Sequence, residues 1–526
     1  MSSDAPTPDA APEPAPSDPR QPPPEPHAPA PRRLGIFHLA LVICALVGAV
    51  GILAPGSLAS ASAMFTGAVF GALDWYFMAV VSGFLILALW LAFGRYGTVV
   101  LGQPGDTPEF SLTSWLAMLF AAGIGSGLLF WGVAEPMMHF ATPPVGEGGT
   151  GEAARRALVI THFHWGLHAW GIYAVAALVL AWFGFRKGTP YLPGAPLRAV
   201  FRGRWVEPVA GLADLIAVIA VALGVAGAMA MGTMQFHTGL AAVTDVPADA
   251  LWLRMAILGV LFVCYTISAT TSLDKGIRIL SNVNMALAIA LLVFALIAGP
   301  TAQLLRGFIT GIGDYIVAAP ALSLMTYPYD DKAGWFHGWT LIYFMWWIAW
   351  APFVGIFIAR ISRGRTIREF ALGVIGAPTL FSILWFSIFG GIGLHEELEG
   401  GGGIASMVTE NVTVALFELF EILPMGPLLS GIAITLVFVF LVTSVDSATY
   451  VLGMLTSRGS MDPPVSRKLG WGVSLGVLGG ALIIAERFDV VRAIAILGAI
   501  PFTLVMLLQV VALLRSMRAE GPGGEP

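Results

Sequence analysis

Residues 338–370 read GWTLIYFMWWIAWAPFVGIFIARISRGRTIREF, an apolar stretch dense in tryptophan that ends on Arg360, Arg363, Arg365 and Arg368. At 100° per residue Trp339, Tyr343, Trp346, Trp347 and Trp350 fall within an arc of about 100°, so one helix face is almost wholly aromatic. Two readings compete for such a face, an interfacial belt and the lining of a site. Depth decides between them. Trp347 lies 13 residues before Arg360, which at about 1.5 Å per residue is roughly 20 Å into a hydrocarbon core about 30 Å thick. Belt tryptophans would stand at its edges.

Outward from this stretch the chain is apolar almost throughout. Its 526 residues are 57% hydrophobic and 11% charged, with a mean hydropathy of +0.81. Such a composition belongs to an all-α polytopic membrane protein. Twelve apolar spans are expected, near 34–54, 72–94, 112–138, 156–184, 207–235, 249–271, 279–299, 337–360, 369–393, 425–453, 469–486 and 489–514. The gaps at 300–335 and 394–424 hold short apolar pieces, read as re-entrant or surface helices on the outer side. Residues 1–33 form a proline- and alanine-rich tail. It carries 12 of the 35 prolines before residue 32 and almost nothing to bury, so disorder is expected. Basic residues concentrate on alternate connections, among them Arg186, Lys187, Arg198, Arg202 and Arg204, then Arg360 to Arg368, then Arg458, Arg467 and Lys468. By the positive-inside rule this puts both ends in the cytoplasm of a cell-membrane protein, with residues 516–526 as a short second tail. Cys44 and Cys264 both lie inside apolar runs and build no disulfide framework or zinc finger.

The third span, MLFAAGIGSGLLFWGVAEPMMHF, sets Gly123, Gly125 and Gly127 around Ser126 in mid-helix, where each glycine costs about 1 kcal/mol relative to alanine. Close helix packing would explain one of them. Three in alternation point to an unwound segment, tolerated at membrane depth only where it lines a cavity. In the fourth span Trp165, Trp170 and Tyr173 share an arc of about 140°, and Tyr173 is again 13 residues from a basic end, Arg186. His162, His164 and His168 sit nearby, but no carboxylate partners them at metal-ligand spacing, so no metal is expected there. The tenth span adds Thr443, Ser444, Asp446 and Ser447. Such hydroxyls usually bond the carbonyl four residues back, or they serve as hard ligands for a small cation.

At these residues the chain resembles the betaine/choline/carnitine transporter family. The resemblance is carried by Gly338, Trp339, Thr340, Leu341, Tyr343, Trp346 and Trp347 with the following ISRGRTIREF, by GIGSGLLFWGVAEP and HWGLHAWGIY, and by FLVTSVDS. It implies a leucine-transporter-like fold, two inverted five-helix repeats at about 112–299 and 337–514 behind two extra helices, within a 34–515 transporter domain. It also implies a homotrimer. The quaternary ammonium of a choline- or betaine-like substrate is expected in an aromatic box of Trp165, Trp170, Tyr173 and Trp347, with Trp346 and Trp350 along the path and Gly125, Ser126 and Gly127 beside it. A sodium ion, the expected coupling ion, is implied at the carbonyls of Ala121 and Ile124 with Phe440, Thr443 and Ser444 opposite. A methylated ammonium cannot donate strong hydrogen bonds, so ring faces suit it.

Two departures bear on the resemblance. Gly127 stands where some sodium-coupled betaine carriers of the family have aspartate, and Val225, Ala226 and Gly227 stand where hydroxyl ligands for a second sodium are expected. An enzyme is excluded by the lack of paired acids, HExxH or a nucleophile with its base in any span. The expectation is therefore a secondary transporter driven by sodium or protons. A sodium-independent exchanger and an osmosensing receptor are the alternatives.

Overall fold

The computed structural model describes residues 35–123, 125–270, 274–485 and 488–521. The tail at 1–33 lies outside the described residues. Among the described residues the regular structure is helical, with one isolated β-bridge between Val100 and Thr366.

Helix α1 (Ile36–Leu53) runs almost directly into α2 (Pro55–Phe93). The third span consists of α3 (Leu112–Gly123) and α4 (Ser126–Ala141), and the fourth of α5 (Gly151–Trp165) and α6 (Leu167–Ala181) with a π-helical turn at Trp182–Arg186. A short α7 (Ala195–Val200) precedes α8 (Val206–Val243), α9 (Leu251–Thr270), α10 (Asp274–Ala298) and α11 (Thr301–Leu322). Helix α12 (Ala333–Phe336) and a π-turn at His337–Leu341 lead into α13 (Ile342–Ile361), then α14 (Ile367–Glu399). Short helices α15 (Ile404–Glu410) and α16 (Ala415–Glu421) precede α17 (Gly426–Leu455), α18 (Val465–Ile484), α19 (Phe488–Ile496) and α20 (Ala499–Glu520).

Eleven helical stretches among the described residues are long and apolar enough to cross a bilayer. The third span makes twelve; α3 and α4, at 12 and 16 residues, are each too short alone. The molecule is thus an all-helical polytopic membrane protein of about twelve spans. Three details differ from the hydropathy reading. Helix α2 begins at Pro55, some 17 residues before the expected 72, with Pro at its first turn and with its serine hydroxyls satisfied within the helix: Ser60 and Ser62 donate to Gly56 O at 2.9 Å and Leu58 O at 2.7 Å. The 300–335 gap holds a 22-residue helix, α11, rather than short pieces.

The third difference is that the fourth and twelfth spans are broken. A Cβ on Gly166 would lie 2.4 Å from His162 O and 2.7 Å from the Tyr315 hydroxyl, which instead accepts from the freed Leu167 N–H at 2.9 Å. Gly498 presses on Ala220 Cα of α8 at a Cβ distance of 2.5 Å.

Bilayer lipid is as apolar as leucine, so close approach of small residues holds the helices together. Helix α13 packs along α6 and α17 along α8. Gly355 would set a Cβ 3.2 Å from Ala176 Cβ, and Gly390 one 2.6 Å from Pro136 Cγ.

The basic segment after α13 is tied to the connection between α2 and α3. Gly364 N donates to Leu101 O at 2.8 Å and Ile367 N to Val99 O at 2.9 Å, while Thr366 and Glu369 form a capping box that starts α14. Arg365 donates to Phe110 O at 2.7 Å and lies 4.3 Å over the Trp115 ring.

A candidate substrate site of aromatic rings at a broken helix

The break in the third span is where the glycine pattern puts it. Gly125 is extended (φ −133°, ψ −177°) between α3 and α4, and a Cβ there would meet nothing within 4 Å. It is therefore no packing glycine. Gly127 is the opposite case: its Cβ would stand 3.2 Å from the Trp165 ring, so any side chain at 127 would press on that indole. Gly125, Ser126 and Gly127 all line one cavity of about 1410 Å³.

The rings meet there. Trp347 on α13 is 5.4 Å from Trp165 at 86°, 5.1 Å from Tyr173 at 66° and 6.0 Å from Trp170, centroid to centroid. Trp165, Tyr173, Trp346, Trp347 and Trp350 line the cavity. Trp170 does not; it is 1% exposed and stands behind the others, 5.6 Å from Tyr173. The remaining members of the aromatic face, Trp339 and Tyr343, stack on each other (6.1 Å, 12°), and Tyr343 stacks on His164 (4.9 Å, 12°).

Phe440, Thr443 and Ser444 on α17 line the same cavity as Gly125–Gly127. Thr443 Oγ1 donates to Val439 O at 2.9 Å, the back-bond of a membrane-helix hydroxyl, and this leaves its oxygen lone pairs available to a cation. Ala121 lies in α3, and Ile124 lies outside the described residues. On α8, Val225 and Ala226 are buried, and a Cβ on Gly227 would meet Ala495 of α19 at 2.7 Å. Those three positions serve helix packing.

Sequence reasoning missed the polar unit that holds the rings. Glu135 of α4, fully buried, accepts from Trp165 Nε1 at 2.7 Å through Oε2. Its Oε1 is 2.6 Å from His164 Nδ1 and 3.4 Å from His139 Nε2. His164 Nε2 bonds Thr340 Oγ1 at 2.9 Å, and the His164 carbonyl accepts from Trp347 Nε1 at 3.0 Å. His164 thus does have a carboxylate partner, contradicting the reading from spacing. Glu135, His139 and His164 offer ligand atoms within 4.8 Å of one another. With Glu135 bonded to Trp165 and His164 to Thr340, the unit is a hydrogen-bonded strut. Its only sequence trace was the acid inside an apolar span, in AEP at 134–136, which is a functional candidate by position alone.

At its other end the cavity reaches Arg360, Arg363, Asp462 and Lys468. There Arg363 Nε donates to Asp106 Oδ2 at 3.0 Å. Asp106 is held below the usual carboxylate range, first by the Gln103 amide and then by Arg363.

The profile of the BCCT family, the betaine/carnitine/choline family transporters, matches residues 35–522. The glycine betaine transporter OpuD of Bacillus subtilis (strain 168) is 41% identical over 487 residues, 92% of this chain and 94% of that protein. The ectoine/hydroxyectoine transporter of Virgibacillus pantothenticus is 39% identical over 487 residues, 92% and 96% of the two chains. The osmo-dependent choline transporter BetT2 of Acinetobacter baylyi (strain ATCC 33305 / BD413 / ADP1) is 38% identical over 451 residues, 85% of this chain and 66% of that one. Taken with the helical architecture, these matches make the chain a transporter rather than an enzyme, and it belongs to the betaine/carnitine/choline transporter family.

Proposed function

We propose that the protein is a secondary active transporter that takes up a quaternary-ammonium osmolyte of the choline or glycine betaine type. The observation that carries this reading is the convergence of Trp165, Tyr173 and Trp347, from two spans, at one end of a cavity that extends to the basic connections. Ring faces attract a desolvated onium cation by up to about 2 kcal/mol per contact. The names of the relatives, transporters of glycine betaine, ectoine and choline, agree with a site for small osmolytes. Gly127 leaves no carboxylate beside the box, which favours choline-like or mixed specificity over strict betaine recognition.

Sodium is the proposed coupling ion, held between the unwound third span and Thr443 and Ser444. With α8 offering no hydroxyl where a second site is expected, one sodium per cycle follows. The same reading takes 112–299 and 337–514 as inverted leucine-transporter-like repeats, both termini as cytoplasmic, and the working unit as a homotrimer. Uptake of labelled choline in cells lacking their own carriers tests it. The competitors are betaine, carnitine, a sulfonium analogue and trimethylamine N-oxide, with sodium and pH gradients applied separately. Onium competition with sodium dependence is expected. An uncharged or primary-amine substrate would sink the cation box, and uptake driven by protons alone would sink the sodium site.

A further inference from the structure

Two of the box rings are hung from one buried acid. Trp165 donates directly to Glu135 Oε2 at 2.7 Å. Trp347 donates to the carbonyl of His164, whose imidazole is in turn 2.6 Å from Glu135 Oε1 and 2.9 Å from Thr340. Tyr173 and Trp170, by comparison, contact Trp347 through their rings. An indole N–H can only donate, so Oε2 is an acceptor here. Oε1 faces His164 Nδ1 and, at 3.4 Å, His139 Nε2. A charged carboxylate accepts at both oxygens, and here Oε2 meets the Trp165 N–H while Oε1 faces the His164 ring. Arg492, whose guanidinium lies 4.8 Å over Trp339 and 5.5 Å over Trp131, is the permanent cation of this neighbourhood and cancels part of that charge. Glu135 itself does not reach the cavity; Trp165 does.

We propose that Glu135 is a positioning and specificity-determining residue. It fixes the ring planes of Trp165 and, through His164, of Trp347. Its negative charge, one indole behind the box, makes the site prefer a net cation such as choline over a zwitterion such as betaine. The proposal rests on the onium reading of the box. A zwitterion brings its own carboxylate into the same field and so gains less from Glu135 than a net cation does.

The test is binding of choline and of betaine to the detergent-solubilised full chain, for the wild type, Glu135→Gln, Glu135→Asp and Trp165→Phe. Glu135→Gln keeps the volume and one acceptor but removes the charge. It should weaken choline about tenfold and betaine less than about threefold, the scale of one partly cancelled charge acting over roughly 8 Å at an effective dielectric constant of about 20. Glu135→Asp, which keeps the charge, should retain the wild-type choline-to-betaine ratio. An unchanged ratio in Glu135→Gln would overturn the proposal. Trp165→Phe keeps a six-membered ring and removes the N–H that Glu135 holds together with the pyrrole half of the indole, so it serves as the second variant if Glu135→Gln does not fold. A loss of about threefold or more for both ligands supports positioning, and wild-type affinity for both refutes it. If the wild-type protein binds neither ligand, the onium reading fails instead.

Discussion

At the scale of single residues, the box assigns different work to rings that look alike in sequence. Trp347 lines the cavity and touches Trp165, Tyr173 and Trp170, so Trp347→Ala should weaken onium binding about 5- to 30-fold, the loss of one cation-π contact of about 1–2 kcal/mol. Trp170 is behind the lining, and Trp170→Ala should act through the tilt of its neighbours and cost less. Equilibrium binding to both variants in detergent checks the order; equal losses would place Trp170 in contact with ligand. Thr443 is the second test. Its hydroxyl is already turned back on Val439, so Thr443→Ala should preserve expression and fold while raising the sodium concentration needed for half-maximal uptake. Uptake of the wild type should show a sodium Hill coefficient near one, and unchanged sodium dependence in the variant would remove the ion from this site.

Among the elements, the breaks are the informative features. The α5–α6 break needs an acceptor for Leu167 N–H, and Tyr315 of α11 supplies it at 2.9 Å. Tyr315→Phe leaves that amide buried and unpaired, a cost of about 1–3 kcal/mol, which should appear as a lower melting temperature in detergent with little change in ring chemistry at the box. An unchanged melting point would mean that water or another group meets Leu167. The connection between α2 and α3 and that between α13 and α14 are clasped by Asp106 and Arg363. Asp106 has its folded pKa depressed, chiefly by the Gln103 amide, so its contribution is complete above the ordinary aspartate pKa of about 4 and is lost as pH falls through the lower folded value. The melting-temperature difference between wild type and Asp106→Asn should therefore be flat from pH 8 to pH 5 and shrink in stronger acid. A difference that faded near neutrality would implicate another group.

For the whole molecule, stability should reside in the helical body and not in the proline-rich start of the chain. Deleting residues 2–31 removes 12 of the 35 prolines and almost no apolar side chain that a core could use, and leaves Arg32 and Arg33. Uptake rate and oligomer mass, measured by light scattering in detergent, should match those of the full chain. Loss of either would show that the tail docks on the body. The cavity joins the box, the broken third span and the Thr443 region into one space of about 1410 Å³, much larger than a single small osmolyte needs. That excess suits an aqueous vestibule leading to a smaller binding end.

Composition and hydropathy were enough for the class of molecule and for twelve spans, because a bilayer forces every spanning backbone into helices about 20 residues long. The unwinding at Gly125 was legible for a local reason: three glycines in alternation destabilise a helix whatever surrounds it. Tyr173 and Trp347 were set at one depth by their 13-residue distance from a basic end, and both line the one cavity. Folding alone decided the rest. The breaks at Gly166 and Gly498 lie where Tyr315 and Ala220, residues on other helices, leave no room for a Cβ, and no local signal distinguishes these glycines from packing ones. The retreat of Trp170 depends on how α6 is rotated against α13, which a helical wheel fixes only to within its own arc. The Glu135 strut joins Trp165 and His164 to an acid about 30 residues earlier in sequence. Hydrogen bonds between spans follow from which faces pack together, and that is a property of the assembled bundle.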